Sequence, residues 1–472
     1  MRSMQIVDWG KPLEARDYPD PVPAGTEVIL KVDACGVCHS DLHIHDGYFD
    51  LGGGEAIRVA DRGMQLPFTL GHEVVGTVVA LGPEAEGVRV GDRRIVFPWI
   101  GCGECATCKR DQEHICSKPR QLGIQVAGGY SEYVLVPHPK YLLDATGVPE
   151  GLAATYMCSG ITAFSALKKV RTAYEGEAIA IVGLGGVGMM GLQFARAMFP
   201  NNKIIGCDID PKKLEAAKAA GAHAVYNSKE ADGLKQLKLD TGGGVAAAVD
   251  FVGSTPSLNF ANGAIRRGGE IIVVGLFGGK FAAPIPTFPG RPYSIVGSYT
   301  GPLGETREMM DLVKTGKIAP IPVEMRPLDQ ADKTLNQLRE GTIVAGVIYN
   351  PANDELYTSE RGKGAFLNDM RLRVAGRKQL SECVIACGLP HIGRGDHELS
   401  RREMTEMQNR VAGLRRFGAA SLDLAFVAAG RLDGYWERNL QPWDIAAGLL
   451  MVREAGGVVS GIEGGDTAMA MG

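Results

Sequence analysis

Short apolar runs separated by turn residues dominate the first 160 or so residues of the chain. Three of these runs, at residues 27–32, 73–80 and 133–136, are bounded by glycine, proline and aspartate. Runs of this length between such residues predict β-strands, and several of them in succession predict a strand-rich, barrel-like domain.

Residues from about 160 to 300 show a different pattern, in which apolar runs alternate with helical periodicity. The run at 177–182 predicts a strand, the pattern at 189–199 predicts a helix, and the run at 203–208 predicts the next strand. Two later strands are expected at 246–252 and 270–275. Strands that alternate with helices are typical of βαβ units, so we expect an α/β domain with a parallel sheet.

The remaining residues, from about 346 onward, combine both patterns. Apolar runs at 347–350 and 384–387 predict strands, whereas the stretches at 421–429 and from 443 to about 454 predict helices. The whole chain is therefore expected to be an α/β protein. Its 472 residues are too many for one ordinary core and suggest roughly three domains.

Composition excludes several functional classes. A hydrophobic share of 45% and a formal charge of −4 describe a globular protein without the basic surface that nucleic-acid binding requires. The sequence contains no apolar run long enough to cross a bilayer, so a cytoplasmic location and no membrane partner are expected. The ten cysteines are grouped at short spacings in a long chain, which favours metal binding over a disulfide framework.

Four of these cysteines form one compact motif. Cys102, Cys105, Cys108 and Cys116 are separated by two, two and seven residues. Four thiolates on such a short segment can complete a tetrahedral zinc site that leaves no position for water or substrate. The alternative, four unrelated free cysteines, fits this spacing poorly, so a structural zinc is predicted here.

A second group begins with Cys38, in a nine-residue stretch that also contains two histidines, a serine and an aspartate. Together with His72 and the isolated Cys158, it supplies the ligand set of a catalytic zinc with an open fourth position. An alcohol oxygen at that position would lose its proton more readily. Glu73 is expected near the metal or in the next layer of contacts, and Asp41 is expected to orient the His72 ring.

The same stretch offers a route for the alcohol proton. Ser40 is expected to accept the proton and His43 to pass it to solvent, because a histidine is suited to this work near neutral pH. Taken alone, His43 reads more readily as an ordinary surface histidine. Cys35 is expected to point the other way along its strand and to pack as an apolar residue rather than to bind metal.

A glycine-rich turn lies between the strand predicted at 177–182 and the helix predicted at 189–199. The strand predicted at 203–208 ends in Asp208, and this context predicts a dinucleotide site. The glycines would let a pyrophosphate approach the helix N-terminus. Asp208 would bind the adenosine ribose and repel a 2′-phosphate, which favours NAD over NADP.

Further cofactor contacts are predicted beyond the turn. Lys213 is expected to support the same ribose, and the segment after the strand predicted at 270–275 is expected to approach the nicotinamide. The candidate cofactor-binding residues are Gly183, Gly185, Gly186, Val187, Gly188, Asp208, Lys213, Val274, Gly275 and Leu276.

Residues 1 to about 345 resemble the medium-chain, zinc-dependent alcohol dehydrogenase family, because these motifs occur in that family's order. The resemblance lies in the segments 36–41 and 71–73, the four-cysteine lobe, Cys158 and the turn at 183–188. The sequence departs from the family near the end of the matching region, where the family's usual Gly-Arg pair is missing. Here residues 341–346 read Gly-Thr-Ile-Val-Ala-Gly, without an arginine.

The resemblance implies a GroES-like β-barrel catalytic domain formed by residues 1–159 and 300–345. It implies a Rossmann domain with a doubly wound parallel sheet, formed by residues 160–299, that binds NAD. The family's basic contact with the cofactor pyrophosphate falls to His39. A homo-oligomer, either a dimer or a tetramer, and a small alcohol or carbonyl substrate are also implied.

Residues from about 346 to 472 resemble part of the inositol monophosphatase family, most specifically around 443–448. The resemblance implies a partial α/β layered fold in which Asp444 is a vestigial Mg²⁺ ligand and Glu437 contacts a polyol hydroxyl. On its own, Asp444 is equally compatible with a helix N-cap. A two-metal phosphatase needs several further carboxylates, and the family's upstream Glu and Asp-Pro-x-Asp-Gly motif are not found in this sequence. This segment is therefore expected to be a fragment of that fold.

Together these features predict an oxidoreductase that transfers a hydride between an alcohol and NAD. Two zinc ions per chain are expected, with Ser40, His43 and Glu73 at the reacting centre. Two alternatives remain: a Mg²⁺-dependent phosphomonoesterase of the inositol monophosphatase type, and a catalytically silent fusion. Reduction of NAD by alcohols, measured beside phosphate release with Mg²⁺, separates the three.

Overall fold

A computed structural model of the chain describes residues 1–52, 55–148, 150–319, 325–339, 345–350, 353, 355–360, 364–368, 370–390, 396–438, 440 and 442–461. The chain separates into two compact units, Met1–Leu335 and Asn336–Gly472. None of the helices in the described ranges combines the length and the apolarity that crossing a membrane requires.

The first part of the first unit is built from short antiparallel strands. Five strands form one sheet in the order β10–β8–β7–β3–β9, and three form another in the order β2–β1–β6. A hairpin, β4–β5, is separate from both sheets. The elements are β1 (Arg2–Ile6), β2 (Glu14–Asp17), β3 (Val28–Gly36), α1 (His39–Asp46), β4 (Tyr48–Gly52), β5 (Glu55–Arg58), β6 (Phe68–Thr69), β7 (Glu73–Leu81), β8 (Arg93–Val96), β9 (Tyr133–Val136), β10 (Leu142–Asp144), α2 (Glu150–Thr155) and α3 (Ile161–Lys168).

Strand β3 runs four residues beyond the apolar run that predicts it. Its last residues, from Ala34 to Gly36, pair with the beginning of β7. Backbone N–H and C=O groups in a protein interior need partners, and here the neighbouring strand supplies them. The ladder of hydrogen bonds, rather than side-chain hydrophobicity, therefore determines where β3 ends.

The second half of the first unit is a six-stranded parallel sheet in the order β13–β12–β11–β14–β15–β16. This order, which reverses at the β11–β14 boundary, is that of a doubly wound α/β fold. The elements are β11 (Ala178–Val182), α4 (Gly186–Met198), β12 (Lys203–Asp208), α5 (Pro211–Ala219), β13 (Ala224–Asn227), α6 (Ala231–Asp240), β14 (Val245–Asp250), α7 (Thr255–Ala264), β15 (Ile265–Val273), α8 (Thr287–Gly290), β16 (Ser294–Gly297) and α9 (Leu303–Lys314). Helix α10 (Ala331–Arg339) begins in the first unit and ends in the second.

Some element boundaries differ from the sequence prediction. Helix α4 begins at Gly186, three residues before the predicted start, because Gly185 is extended and serves as its N-cap. Strand β15 ends at Val273 rather than at residue 275. The N–H groups of Val274 and Gly275 both donate to the carbonyl oxygen of Asp250, which turns the chain out of the sheet.

One hydrophobic core joins the antiparallel sheet to the parallel sheet within the first unit. It includes Val74 and Val96 from the former, Ile179 and Ile181 from the latter, and Phe164 of α3. Each fully buried aliphatic side chain contributes about 1.5–3 kcal/mol to stability. The side chains near the junction of the two sheets therefore project from a well-packed core.

The second unit contains two small sheets with a core of its own. An antiparallel sheet has the order β17–β18–β19–β20, and a parallel sheet has the order β22–β21–β23. Helices α12 and α13 pack together and contribute Leu424, Leu449 and Met451 to the core, where they join the buried Tyr357. The elements are β17 (Ala345–Asn350), β18 (Glu355–Glu360), β19 (Gly364–Leu367), β20 (Met370–Arg371), β21 (Val384–Cys387), α11 (His397–Gln408), β22 (Gly413–Arg415), α12 (Ala420–Ala428), β23 (Gly434–Trp436) and α13 (Pro442–Glu454).

Candidate metal and cofactor sites

The pairing of β3 with β7 brings two distant sequence motifs together. In the register of these strands Gly36 lies opposite Glu73. Cys38 follows β3 as the N-cap of α1, and His72 immediately precedes β7. Strand pairing therefore places the two predicted ligands, which are 34 residues apart in sequence, at the same edge of the sheet. Gly36 is required there, because an added Cβ would overlap the Glu73 carboxylate.

Cys158 reaches the same place from a single π-helical turn, Tyr156–Gly160, between α2 and α3. Its Sγ lies 3.7 Å from Sγ of Cys38. Zn–S bonds of about 2.3 Å at the tetrahedral angle would put two sulfurs about 3.8 Å apart. One ligand atom from each of Cys38, His72, Glu73 and Cys158 lies within 4.8 Å of the others. The two thiols therefore have the separation that a shared zinc ion requires.

His72 provides an independent test of whether a metal fits this group. Its side chain is fully buried, and neither ring nitrogen has a hydrogen-bond partner among the described residues. A buried polar atom left without a partner costs about 1–3 kcal/mol. A metal ion would satisfy Nε2, whereas the Nδ1 side of the ring faces a carboxylate. The ring also packs against Trp99, with 5.5 Å between ring centroids.

The carboxylate beside His72 belongs to Asp41, which is also fully buried. Its Oδ1 lies 3.3 Å from Nδ1 of His72. Its Oδ2 accepts the backbone N–H of Cys38 at 2.9 Å and the hydroxyl of Tyr130 at 3.3 Å. One carboxylate is thus shared between the backbone of one candidate ligand and the ring of another.

The electrostatics of the group favour the thiolate form of Cys38, whereas the hydrogen bond with Cys38 and burial raise the pKa of Cys158 well above its usual value. The hydrogen bond with the Cys158 thiol holds the pKa of Cys38 well below its usual value, although burial acts in the opposite direction. Thiolate is the form of cysteine that binds zinc. Burial raises the pKa of Glu73 well above its usual value. Glu73 is the fourth member of the group, so its oxygen lies close to the two thiols.

The predicted proton-relay residues lie on α1, directly after Cys38. Ser40 and His43 are three residues apart in this helix and therefore share one face. His43 is partly buried beside Phe49, with 5.1 Å between ring centroids. Burial and the neighbouring His39 lower the pKa of His43. His39 itself is exposed at the first position of the helix.

Cys35 does not belong to the group of candidate ligands within the described part of the chain. Its thiol packs against Gly71 and Gly129, where an added Cβ would come within 2.7 and 3.0 Å of Sγ. Burial raises its pKa well above the usual value, which disfavours the thiolate. This environment is that of a small apolar residue.

The four remaining motif cysteines converge in a short lobe. Their S···S distances are 3.5 Å for Cys105–Cys108 and Cys102–Cys116, 3.8 Å for Cys105–Cys116 and 3.9 Å for Cys102–Cys108. These values bracket the separation of about 3.8 Å expected in a tetrahedral zinc–thiolate site. The backbone N–H of Lys118 also donates to Cys116 Sγ at 3.3 Å.

The lobe is attached to the sheet through Glu113. Its carboxylate accepts the backbone N–H of Gly101 at 3.0 Å, the Lys140 ammonium at 2.8 Å and the Tyr141 hydroxyl at 2.6 Å. An added Cβ at Gly101 would lie 2.5 Å from Cys108 Sγ, so only glycine allows the chain to pass this close to the thiols.

The glycine-rich turn joins β11 to α4 at the point where the order of the parallel sheet reverses. Gly183 has a φ of 85°, and an added Cβ at Gly188 would lie 1.7 Å from the carbonyl oxygen of Gly183. Added Cβ atoms at Gly185 and Gly186 would meet nothing within 4 Å. The helix N-terminus thus opens onto free space, as an anion-binding turn requires.

Asp208 ends the neighbouring strand β12 and is buried. Its Oδ2 accepts the backbone N–H of Leu184 at 2.6 Å, and its Oδ1 accepts that of Asp210 at 2.9 Å. The carboxylate is therefore held rigidly beside the glycine-rich turn, with lone pairs left for further donors. Lys213 is exposed on α5.

The segment after β15 lies beside the end of β14. Gly275 packs on the backbone of Val252 and Gly253, so tightly that an added Cβ would overlap it. Val274 is partly buried and Leu276 is exposed. These residues therefore lie at the carboxyl edge of the parallel sheet, where ligands of doubly wound folds bind.

Sequence reasoning missed three features of these sites. The first is the π-helical turn of Cys158, and the second is the Tyr130 hydroxyl on Asp41. The third is a contact of hairpin β4–β5 with the loop after β15, where Lys280 Nζ lies 2.9 Å from Glu55 Oε1. Of the three, only the Tyr130 contact had a signal in the sequence. Tyr130 follows two adjacent glycines, Gly128 and Gly129, and adjacent glycines indicate a close approach of the backbone to another segment.

In the second unit Glu437 accepts a hydrogen bond from Tyr435 and packs against Gly388. Asp423 is buried nearby, and burial together with Glu437 raises its pKa to about 6. The backbone of Asp444 belongs to α13, but its side chain lies outside the described part of the structure. Its expected role as a vestigial Mg²⁺ ligand stays a prediction.

Family comparisons divide the chain in the same order as the motifs. Residues 24–147 match the alcohol dehydrogenase GroES-like domain. Residues 186–315 match the zinc-binding dehydrogenase family. Residues 335–471 match the inositol monophosphatase family.

Individual relatives follow the same division. An NAD-dependent alcohol dehydrogenase from Sulfurisphaera tokodaii is 37% identical over 354 residues, which are 74% of this chain and 100% of that relative. The crystal structure of an alcohol dehydrogenase from Aeropyrum pernix matches with a TM-score of 0.64 and 30% identity, over 72% of this chain and 97% of that one. An inositol-1-monophosphatase from Mesorhizobium japonicum is 64% identical over 127 residues, which are 27% of this chain.

The inositol monophosphatase match covers only part of this chain and only part of each relative. The chain spans about half the length of these relatives, 48% and 50% in two cases. The dehydrogenase match, in contrast, covers the full length of its relative. The predicted family, the GroES-like and Rossmann fold and the partial phosphatase-like segment are confirmed. The chain belongs to the medium-chain, zinc-binding alcohol dehydrogenase family, and its C-terminal segment is similar to part of an inositol monophosphatase.

Proposed function

We propose that this protein is an NAD-dependent alcohol dehydrogenase that uses a zinc ion to oxidise a small alcohol. The observation that carries the proposal is the convergence of Cys38, Cys158 and the unpartnered Nε2 of His72. It occurs in the same compact unit as a parallel sheet with an open glycine-rich turn. Two NAD-dependent alcohol dehydrogenases that are similar over 100% and 96% of their length support the same reaction class.

Cys38 and Cys158 would hold the catalytic zinc as thiolates, and His72 would hold it through Nε2. When bound, zinc would polarise the alcohol oxygen and lower the pKa of its hydroxyl. Asp41 would keep the imidazole in the tautomer that leaves Nε2 free, since its carboxylate lies next to Nδ1. Glu73 would stay within reach of the ligand atoms as an additional carboxylate.

The alcohol proton would leave through Ser40 and His43. The two side chains share one face of α1, and the lowered pKa of His43 leaves its ring neutral and able to accept a proton near pH 7. His43 is also partly exposed, so it can exchange that proton with solvent.

NAD, when bound, would accept the hydride. The turn formed by Gly183, Gly185, Gly186, Val187 and Gly188 would receive the pyrophosphate, with exposed His39 as its basic contact. Asp208 would bind the adenosine ribose, supported by Lys213. Val274, Gly275 and Leu276 would line the nicotinamide end, since they follow β15 at the carboxyl edge of the sheet.

A second, structural zinc is proposed for Cys102, Cys105, Cys108 and Cys116. The four S···S distances of 3.5–3.9 Å support it. A site with four thiolates has no open position, so its contribution would be to stability rather than to the reaction.

We assign the catalytic domain to residues 1–159 and 300–345 and the NAD-binding domain to residues 160–299. Contacts from α9 and α10 back to the barrel region support this division. Lys314 pairs with Asp144 at 2.7 Å, and Asp332 accepts the backbone N–H of Leu13 at 2.9 Å. The inositol monophosphatase-like segment would then follow at 346–472.

For the C-terminal segment we propose no phosphatase activity. Within the described residues, both groups of side chains able to hold a metal lie in the first unit. Mg²⁺-dependent release of phosphate from an inositol phosphate that is lost in Asp444→Asn would contradict this view.

The dehydrogenase proposal is tested by following NADH absorbance while the full-length protein oxidises a panel of small alcohols. Activity should be lost in Cys38→Ser and on removal of zinc. His43→Gln should lower kcat, whereas His138→Gln, at an exposed histidine that accepts the backbone N–H of Lys140, should not. NAD reduction that persists after zinc removal and in Cys38→Ser would refute the proposal.

A further inference from the structure

Tyr130 is a buried residue to which the proposed reaction assigns no role. It is only 2% exposed. Both of its backbone groups are hydrogen bonded: the N–H donates to the carbonyl oxygen of Leu70 at 2.9 Å, and the carbonyl oxygen accepts the N–H of Met4 at 2.8 Å. The ring lies against Gly71, where an added Cβ would come within 2.6 Å of Cδ1. Tyr130 is therefore fixed next to the segment that ends in His72.

The Tyr130 hydroxyl donates to Oδ2 of Asp41 at 3.3 Å. That oxygen also accepts the N–H of Cys38, while the other oxygen lies 3.3 Å from Nδ1 of His72. The two donors hold Oδ2 of the carboxylate, and this directs Oδ1 toward the ring of one candidate zinc ligand. Without the phenol, one hydrogen bond to a fully buried carboxylate would be lost.

We propose that Tyr130 is a positioning residue for the catalytic zinc site, acting through Asp41 on His72 and Cys38. The inference rests on the proposed function, because it requires a zinc ion at that site. Ring packing and hydroxyl donation can be separated, because Tyr130→Phe keeps the ring against Gly71 and removes only the donor. Removal of a hydrogen-bond partner behind a metal ligand weakens metal binding by about 10- to 100-fold. Tyr130 is one step further away, so an effect of about three- to tenfold is expected.

The test measures zinc release from the full-length protein to a chromogenic chelator. Tyr130→Phe should accelerate release from the catalytic site about three- to tenfold and leave release from the four-cysteine lobe unchanged. The matched control is Tyr141→Phe, which removes the hydroxyl group that donates a hydrogen bond to Glu113 beside the lobe. That variant should leave release from the catalytic site unchanged. The absorption spectrum of the cobalt-substituted protein gives a second readout of ligand geometry at the catalytic site.

A double-mutant cycle tests whether Tyr130 acts through Asp41. In an Asp41→Ala background, which removes the acceptor, adding Tyr130→Phe should cause no further acceleration, because residues that act through one contact are not additive. Wild-type release rates in Tyr130→Phe, or full additivity with Asp41→Ala, would overturn the inference while leaving the dehydrogenase proposal intact. A wild-type protein that holds no zinc at the Cys38 site would instead refute the proposed function itself.

Discussion

A Cβ atom added to Gly188 would lie 1.7 Å from the carbonyl oxygen of Gly183, because the first turn of α4 packs directly on the loop after β11. Gly185 differs: an added Cβ there meets nothing within 4 Å, and its φ of −71° suits any residue. Two glycines of one motif therefore serve different purposes. Gly188 permits close packing inside the protein, whereas Gly185 leaves room outside it.

These two positions predict opposite outcomes for the same substitution. Gly188→Ala should lower the free energy of unfolding by about 1–3 kcal/mol, the usual cost of overpacking. Gly185→Ala should leave stability unchanged but weaken NADH binding, because its methyl group would project into the space proposed for the pyrophosphate. Denaturant unfolding and NADH fluorescence titration measure the two quantities. Equal destabilisation by both variants would contradict this division of roles.

The proposed zinc content predicts distinct losses from the two cysteine groups. Wild-type protein should contain two zinc ions per chain by metal analysis. Cys102→Ser should remove one ion and much stability, since the binding energy of a structural site contributes to folding. Cys38→Ser should remove the other ion and abolish turnover with the fold retained.

Cys35→Ala is the matched control for the zinc prediction. Its thiol is close in sequence to Cys38 but packs against Gly71 and Gly129. This variant should therefore keep both zinc ions, even if packing is slightly weakened. One zinc ion or none in carefully prepared wild-type protein would show that the two-site prediction is wrong.

Cofactor preference is predicted to depend on the charge of Asp208. Asp208→Asn retains an oxygen acceptor for Leu184 but removes the negative charge that would repel a 2′-phosphate. The ratio of kcat/KM for NAD to that for NADP should fall by about tenfold, which corresponds to about 1.4 kcal/mol. Asp210→Asn is the control, because Asp210 caps α5 through the N–H of Lys212 and asparagine caps equally well. A wild-type protein that uses both cofactors equally would contradict this assignment.

The second unit should become less stable as the pH rises from about 4 to about 6. Asp423 has a pKa of about 6 in the folded protein, above the ordinary value of about 3.9 expected when unfolded. The folded state therefore binds more protons in this window, and stability falls as the pH increases through it. Asp423→Asn should raise the free energy of unfolding by about 1–3 kcal/mol at pH 7.5 and change it little at pH 4.

Denaturant unfolding of the full-length protein at the two pH values measures this effect. Asp396→Asn provides the control, since Asp396 is an N-cap of α11 whose pKa is lowered by the N–H of Leu399. It should show no gain at pH 7.5. An equal gain from Asp423→Asn at both pH values would rule out ionisation as the cause.

Much of the fold was predictable because hydrophobic periodicity is local. Strands β9, β12 and β21 coincide with their apolar runs, since burial on the sheet determines both ends. Strand β15 was harder, because it begins at Ile265 and contains Gly268 and Gly269 before its apolar half. The shift in register across those glycines, from the Val245–Ile265 pair to the Ala247–Glu270 pair, leaves little trace in side-chain character.

The candidate metal ligands could be predicted from the spacing of their motifs, but the residues that position those ligands could not. Cys38 and His72 stand in short motifs that signal metal chemistry, and the structure brings them together with Cys158. The tyrosine hydroxyl on Asp41 joins α1 to the loop before β9, between residues 89 positions apart. Contacts of this kind depend on how the strands pair, and a single sequence carries no periodic signal for them.

The π-helical turn at Tyr156–Gly160 also makes the catalytic site sensitive to chain length. Such a turn holds one residue more than an α-helical turn, between two segments that are otherwise regular helix. Deleting a single residue there would restore regular winding and rotate one segment against the other by about 100°. Either α3 would leave the core or the thiol of Cys158 would leave Cys38. Point substitutions in this stretch can leave the position of the thiol unchanged, whereas a one-residue deletion or insertion would move it.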